Sequence, residues 1–185
     1  MATETSTNLT YEDYVNLPND GKRYEIIDGE LYVNPAPNTK HQRVVGNIWF
    51  ALESYFREHR IGEVLSSPID VVLSSTNIVE PDLIVILAEN AIITERNIQG
   101  APDIVIEVLS DSTRRIDEIA KRKLYERYGV SEYWIADPVI DTAKIYRRGA
   151  SGFDRVAEIS LETGGAITTP LLPGFTLAIH EVFAD

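Results

Sequence analysis

Between His41 and His59 the apolar residues Val44, Val45, Ile48, Trp49, Leu52, Tyr55 and Phe56 recur at helical spacing, and Gly62 follows as a stop. This pattern predicts the longest helix of the chain. Upstream, Thr10 with Asp13 three residues on reads as a helix start running through YEDYVNL to Pro18. RYEIIDGELYVNP then alternates around Asp28-Gly29, which predicts a hairpin. The period changes in the middle of the chain. EVLSSPIDVVL, PDLIVIL and PDIVIEVL are short runs rich in β-branched residues, bounded by Pro, Ser and Gly. The last two are almost continuously apolar, as strands covered on both faces are. A second helix is predicted over 116–128, closed by Gly129. SEYWIAD and TAKIYRR read as strands on either side of Pro138, and weaker strand-like pieces follow Gly149. The first nine residues are polar and small, and are expected to fray. Helix, three strands, helix, two strands predicts an α/β fold with a mixed central sheet in a single domain over 1–185.

Within this pattern one residue is out of place. Glu107 lies in IVIEVL, where each of its neighbours is apolar. A carboxylate on a strand covered on both faces is costly unless it is paired, hydrogen-bonded or bound to a metal. Asp82, at the head of the other apolar strand, is the natural partner, since neighbouring strands lie about 5 Å apart. Two such acids suit one Mg²⁺, which prefers oxygen ligands. Asp103 shares a strand face with Glu107 but lies four residues away, roughly 13 Å along a strand, so it is read as a strand-start residue.

Charge sharpens the picture. The chain carries 17 Lys+Arg against 29 Asp+Glu, a formal charge of −12. Such acidity argues against a generic nucleic-acid coat, which needs clustered Lys and Arg. Yet 111–128 holds six basic residues against four acidic ones, so positive charge gathers just after Glu107. Asp117, Lys121 and Tyr125 fall in one column of the second helix, whereas Lys123 lies on another side. That spacing alone leaves both lysines open. His41 opens the long helix and is read as a capping or surface residue. His59 and His180 show no metal-ligand spacing, and Tyr133 and Trp134 read as core. The absence of cysteine excludes disulfides, thiolate zinc sites and a cysteine nucleophile. No Gly-rich phosphate loop, G-x-S-x-G elbow or H-E-x-x-H occurs. No run is long and apolar enough for a membrane helix, and the start lacks a secretory pattern, so a cytoplasmic protein is expected.

EPDLIVI, then APDIVIEVLSDSTRRIDEIAKRKLYERYGVSEYWIADP, with RYEIIDGELYVNPAP and His41 upstream, resembles the Uma-two family of restriction-endonuclease-like proteins. That family falls within the PD-(D/E)XK nuclease superfamily, and the similarity runs from about Tyr11 to Arg148. The resemblance implies an α-β-β-β-α-β core and Mg²⁺-dependent hydrolysis of DNA, with Mn²⁺ as a substitute. Asp82 then matches the motif aspartate and Glu107 the motif glutamate. Leu109 stands where the superfamily usually has its lysine. Lys121 on the following helix is the matching position, with Lys123 as the alternative. Glu25 also matches a recurrent position. On this reading Asp82, Glu107 and the Val108 carbonyl hold the metal, and Lys121 steadies the developing charge. Ser110, Thr113, Arg114 and Arg115 contact flanking phosphates. A homodimer, or a separate DNA-targeting partner, would suit an acidic nuclease. The competing expectation is a catalytically inactive binding or assembly protein that keeps the fold.

Overall fold

The computed structural model describes residues 8–185. A short helix α1 (Tyr11–Tyr14) leads into the hairpin β1 (Arg23–Ile27) and β2 (Glu30–Asn34). The long helix α2 (Thr39–His59) follows, then β3 (Gly62–Ser66), β4 (Val71–Ser74) and β5 (Asn77–Val79). Next come β6 (Leu83–Leu87), β7 (Ile98–Gln99) and β8 (Ile104–Val108). A π-helical segment, Ile116–Lys121, runs directly into α3 (Arg122–Tyr128). After it lie β9 (Glu132–Asp137), β10 (Thr142–Gly149), β11 (Gly152–Ser160), β12 (Ala166–Thr168), β13 (Thr176–Ala178) and α4 (Ile179–Val182).

The central sheet has six strands in the order β11-β10-β9-β8-β6-β3. It is mixed, because β8 and β9 run parallel while the other pairs are antiparallel. A parallel pair needs a crossover, and the π segment with α3 supplies it. One face of this sheet packs on α2, on α4 and on the ribbon β12-β13, through Val44, Ile48, Leu52, Ile106 and Trp134. The other face packs on α3 and on a second sheet, ordered β2-β1-β5-β4-β7. Ile84, Val105 and Ile135 meet Ile27, Val79, Leu124 and Tyr125 in that layer. Each fully buried Leu, Ile or Val contributes about 1.5–3 kcal/mol relative to exposure. Both faces of β6 and β8 are therefore covered, as their apolar runs predicted.

Local chemistry explains the element ends. Asp28 and Gly29 both take positive φ, 51° and 79°, which closes the β1–β2 hairpin with the twist such turns favour. The Asn38 side chain accepts the His41 N–H and starts α2. Gly129, at φ 93°, ends α3.

Four expectations need correction. Gly62 does not stop α2; Arg60 does, in a left-handed conformation at φ 49°, and Gly62 opens β3. A Cβ on Gly62 would run into the Ile86 carbonyl oxygen, so close strand approach demands the glycine. EVLSSPIDVVL is not one strand, because β3 joins the central sheet and β4 the second one. The helix begun at Thr10 lasts four residues, and the tail adds the short α4. Of the start expected to fray, residues 1–7 lie outside the described residues; the Leu9 N–H donates to the Gly29 carbonyl at 2.9 Å.

Candidate active site

The site forms where the ends of β6 and β8 meet β1, the start of α2 and the π segment. In the β6–β8 ladder Leu83 pairs with Ile106. Continuing that antiparallel register by one residue sets Asp82 opposite Glu107. The Val108 N–H donates to Asp82 Oδ2 at 2.9 Å, which ties the aspartate to the end of β8. Both acids line one small cavity with about 20 Å³ of space for water, enough for one water or ion. Arg23, Asn34, His41, Val108, Asp117 and Lys121 share its wall.

Lys121 is 2% exposed and bridges three acids. Its Nζ lies 2.9 Å from Glu107 Oε1, 2.9 Å from Glu25 Oε1 and 3.4 Å from Asp117 Oδ1. The Tyr125 hydroxyl donates to the same Glu107 oxygen at 3.0 Å. The column Asp117, Lys121, Tyr125 thus converges on Glu107, across a π-helical turn of the kind often found at functional sites. Glu25 Oε1 also accepts the Glu80 N–H, and Oε2 accepts from the Asn34 side chain. Alternation along β1 puts Arg23, Glu25 and Ile27 on one side of the strand, and Ile27 packs in the core layer under the central sheet. Arg23 donates to Asp82 Oδ1 at 3.4 Å and to the Glu80 carbonyl at 2.8 Å. The Tyr14 hydroxyl donates to Glu80 and Asp70.

Charge here is unbalanced. Glu25, Glu80, Asp82, Glu107 and Asp117 are each 8% exposed or less. Facing these acids are Lys121 and the partly buried Arg23. Two buried oxygens, Glu80 Oε2 and Asp117 Oδ1, have no hydrogen-bond partner among the described residues. Burial pushes the Glu107 carboxyl up to about 8; Lys121 opposes this, while Asp117, Asp82 and Glu25 add to it. Burial also penalises Asp82, yet its bond to His41, the Arg23 charge and the Val108 N–H hold it below its ordinary value. Two carboxyls with pKa values driven apart are a recurrent sign of acid–base division of labour. Burial alone would lower the Lys121 pKa, but Glu107, Glu25 and Asp117 raise it well above normal, so the amine stays protonated.

The structure brings Asp82, Glu107, Val108, Lys121 and Glu25 together. Lys123 is exposed and absent from the cavity. Ser110 and Thr113 line the cavity rim and bond each other at 2.9 Å. Arg114 turns to Asp137, with bonds of 2.5 and 2.9 Å, so its fork is already engaged. Arg115 is exposed and makes no ion pair among the described residues. Asp103 accepts the Leu87 N–H and holds the Asn90 side chain, a structural task. Tyr133 and Trp134 are core residues, 0% and 1% exposed.

His41 is the clearest correction. It is 4% exposed, and its Nε2 stands 3.2 Å from Asp82 Oδ2, so it is neither a surface residue nor the cap, which is Asn38. Sequence reasoning also missed Arg23, Asn34, Glu80 and Asp117 as parts of the cluster. Position 23 alternates with Glu25, and Asp117 shares the helical column of Lys121; those two spacings were the available signals.

No helix among the described residues is long and apolar enough to cross a membrane. No curated protein matches the chain. A crystal structure from Anabaena variabilis, described as "a putative nuclease belonging to DUF820", superposes with a TM-score of 0.80 at 20% identity. The match covers 95% of this chain and 98% of that one, and it establishes a shared fold. A family model, "Uma2: Putative restriction endonuclease", matches residues 11–180. Spanning both strand acids, the π-helical lysine and the hairpin glutamate, that match places the chain in the Uma2 family.

Proposed function

We propose that this protein is a divalent-metal-dependent endonuclease that hydrolyses phosphodiester bonds in DNA. The observation that carries the reading is one cavity walled by Asp82, Glu107 and Asp117, within a cluster where five buried carboxylates face two fixed cations. Were all five ionised, the cluster would stand at −3 with a neutral histidine. An added divalent cation offsets most of that excess, and the donors are hard oxygens of the type Mg²⁺ prefers. No three His, Cys, Asp or Glu side chains among the described residues already form a metal cage. Asp82 and Glu107, tied together by the Val108 N–H, would hold the ion with the Val108 carbonyl and with waters completing its shell, as Mg²⁺ sites usually do. When bound, the ion supplies Lewis-acid polarisation of a phosphoryl oxygen.

The chain's own residues supply the rest. Lys121, fixed by three carboxylates and protonated, presents a positive charge where negative charge develops on the phosphoryl group. Its raised pKa makes it a charge stabiliser rather than a base. Glu25 and Asp117 orient that ammonium. His41 and Arg23 hold Asp82 in place from opposite oxygens. Ser110 and Thr113 offer hydroxyls at the rim for a flanking phosphate.

The test is plasmid cleavage with Mg²⁺ or Mn²⁺, together with calorimetric titration of Mn²⁺. Wild type should nick DNA; Asp82→Ala and Glu107→Ala should each lose at least about a hundredfold in rate, as loss of a key electrostatic group commonly costs. Equal activity in all three proteins rejects the reading. A wild type that binds neither metal nor DNA favours the inert binding or assembly protein instead. Cleavage restored by an added subunit would identify a separate targeting partner.

A further inference from the structure

A second cleft opens beside the cavity, on the α2 side of Asp82. Its volume is about 280 Å³, and Gln42, Val45, Gly46, Trp49, Ser66 and Ser67 line it. Arg23 and Asp82 belong to both recesses, so the two meet at that ion pair. Gln42, Val45, Gly46 and Trp49 fall at i, i+3, i+4 and i+7, one stripe of α2 adjacent to the core-facing one. Ser66 ends β3, and Ser67 follows it.

Gly46 has no structural reason to be glycine. It lies inside a 21-residue helix, where glycine costs about 0.5–1 kcal/mol relative to alanine. Its φ is not positive, and a Cβ built there meets no atom within 4 Å. What the missing side chain does is leave the cleft open. Trp49 is partly buried: it packs on the core beneath α2 and also borders the cleft. Arg23 stands between cleft and cavity with a buried Nε that has no hydrogen-bond partner among the described residues.

We propose that this cleft is a nucleobase subsite, which receives one unpaired base while the adjoining phosphate lies at Arg23 and the Asp82–Glu107 cavity. The inference rests on the nuclease reading and extends it to a substrate class: single-stranded DNA, or a nucleotide displaced from its duplex. An aromatic wall stacks any base, since every base has a π-face. The Gln42 amide and the serine hydroxyls offer donors and acceptors to a base edge, and a glutamine pairs best with adenine. Sites for drug-sized ligands span about 300–1,000 Å³, so this cleft, just below that range, is sized for one base rather than a stacked pair. A paired base cannot reach it without leaving the stack.

The test uses a short single-stranded oligodeoxynucleotide and the matching blunt duplex. Affinity is read by fluorescence anisotropy with Ca²⁺, and KM and kcat by gel with Mg²⁺. Wild type should favour the single strand. Gly46→Phe, which fills the cleft from an open helix position, should bind the single strand about tenfold more weakly and raise KM, as lost stacking commonly does. Trp49→Ala should act in the same direction. Mn²⁺ binding should remain at the wild-type level in both, and Gly46→Ala should melt higher while weakening single-strand binding by less than Gly46→Phe does. If wild type cuts DNA and Gly46→Phe keeps its affinity and KM, the subsite is refuted and the nuclease reading stands. A preference of wild type for the duplex refutes it as well. If wild type binds Mn²⁺ yet neither binds nor cuts either DNA, both fall together.

Discussion

Lys121→Met offers the sharpest test of how this cluster is held together. The substitution keeps much of the side-chain volume and removes the single ammonium shared by Glu25, Glu107 and Asp117. Breaking a buried ion pair by deleting one partner costs about 3–5 kcal/mol, because an uncompensated charge is left in a low-dielectric site. For a domain of this size 1 kcal/mol moves Tm by about 2–4 °C, so a loss of roughly 6–20 °C is expected near neutral pH. Protonation limits the damage. Without the lysine the buried Glu107 and Asp117 carboxyls rise further above their ordinary values of about 4.3 and 3.9. A carboxyl with a raised folded pKa loses stability as pH climbs from its unfolded value to the folded one. The gap between wild type and variant should therefore widen between pH 5 and 8, by up to about 1.4 kcal/mol per pH unit for each extra proton the variant retains. Thermal melts by circular dichroism across that range, without divalent ions, measure it directly. A gap that stays constant with pH, or a variant as stable as wild type at pH 8, would refute the claim that Lys121 neutralises this cluster.

Three other outcomes follow from the same geometry. Mg²⁺ at a hundred times its dissociation constant should stabilise wild type by about 2.7 kcal/mol and raise Tm, chelation should reverse this, and Glu107→Gln should show little of either effect in calorimetry. Burial would push the Asp137 carboxyl up, but the Arg114 fork and the Val139 N–H hold it below its usual value. That contribution is present above the unfolded carboxylate pKa of about 3.9 and vanishes as pH falls through the lower folded value, so Arg114→Met should lower Tm at pH 7 and hardly at all at pH 2. Gly62→Ala should cost about 1–3 kcal/mol in chemical denaturation, because its methyl carbon would collide with the Ile86 carbonyl and force β3 off β6.

Periodicity along the chain determined the long helix, the Asp28-Gly29 hairpin and the buried strands 83–87 and 104–108, since each of these patterns is a local consequence of which face meets the core. Glu107 was legible for the same reason: a carboxylate in an unbroken apolar strand needs a partner. Its assignment with Asp82 followed from strand spacing, whereas the preference for Lys121 came from family resemblance, because a helical lysine looks alike whether solvated or buried. Only the tertiary structure decided which strands left for the second sheet and so carried Glu25 and Arg23 over the central one. It alone turned His41 inward to Asp82, aimed the Arg114 fork at Asp137 and gathered Glu80 and Asp117 beside the same lysine. A charged residue bears no local mark of its destination: contacts such as Arg23 to Asp82, 59 positions apart, exist only once two sheets and two helices have packed.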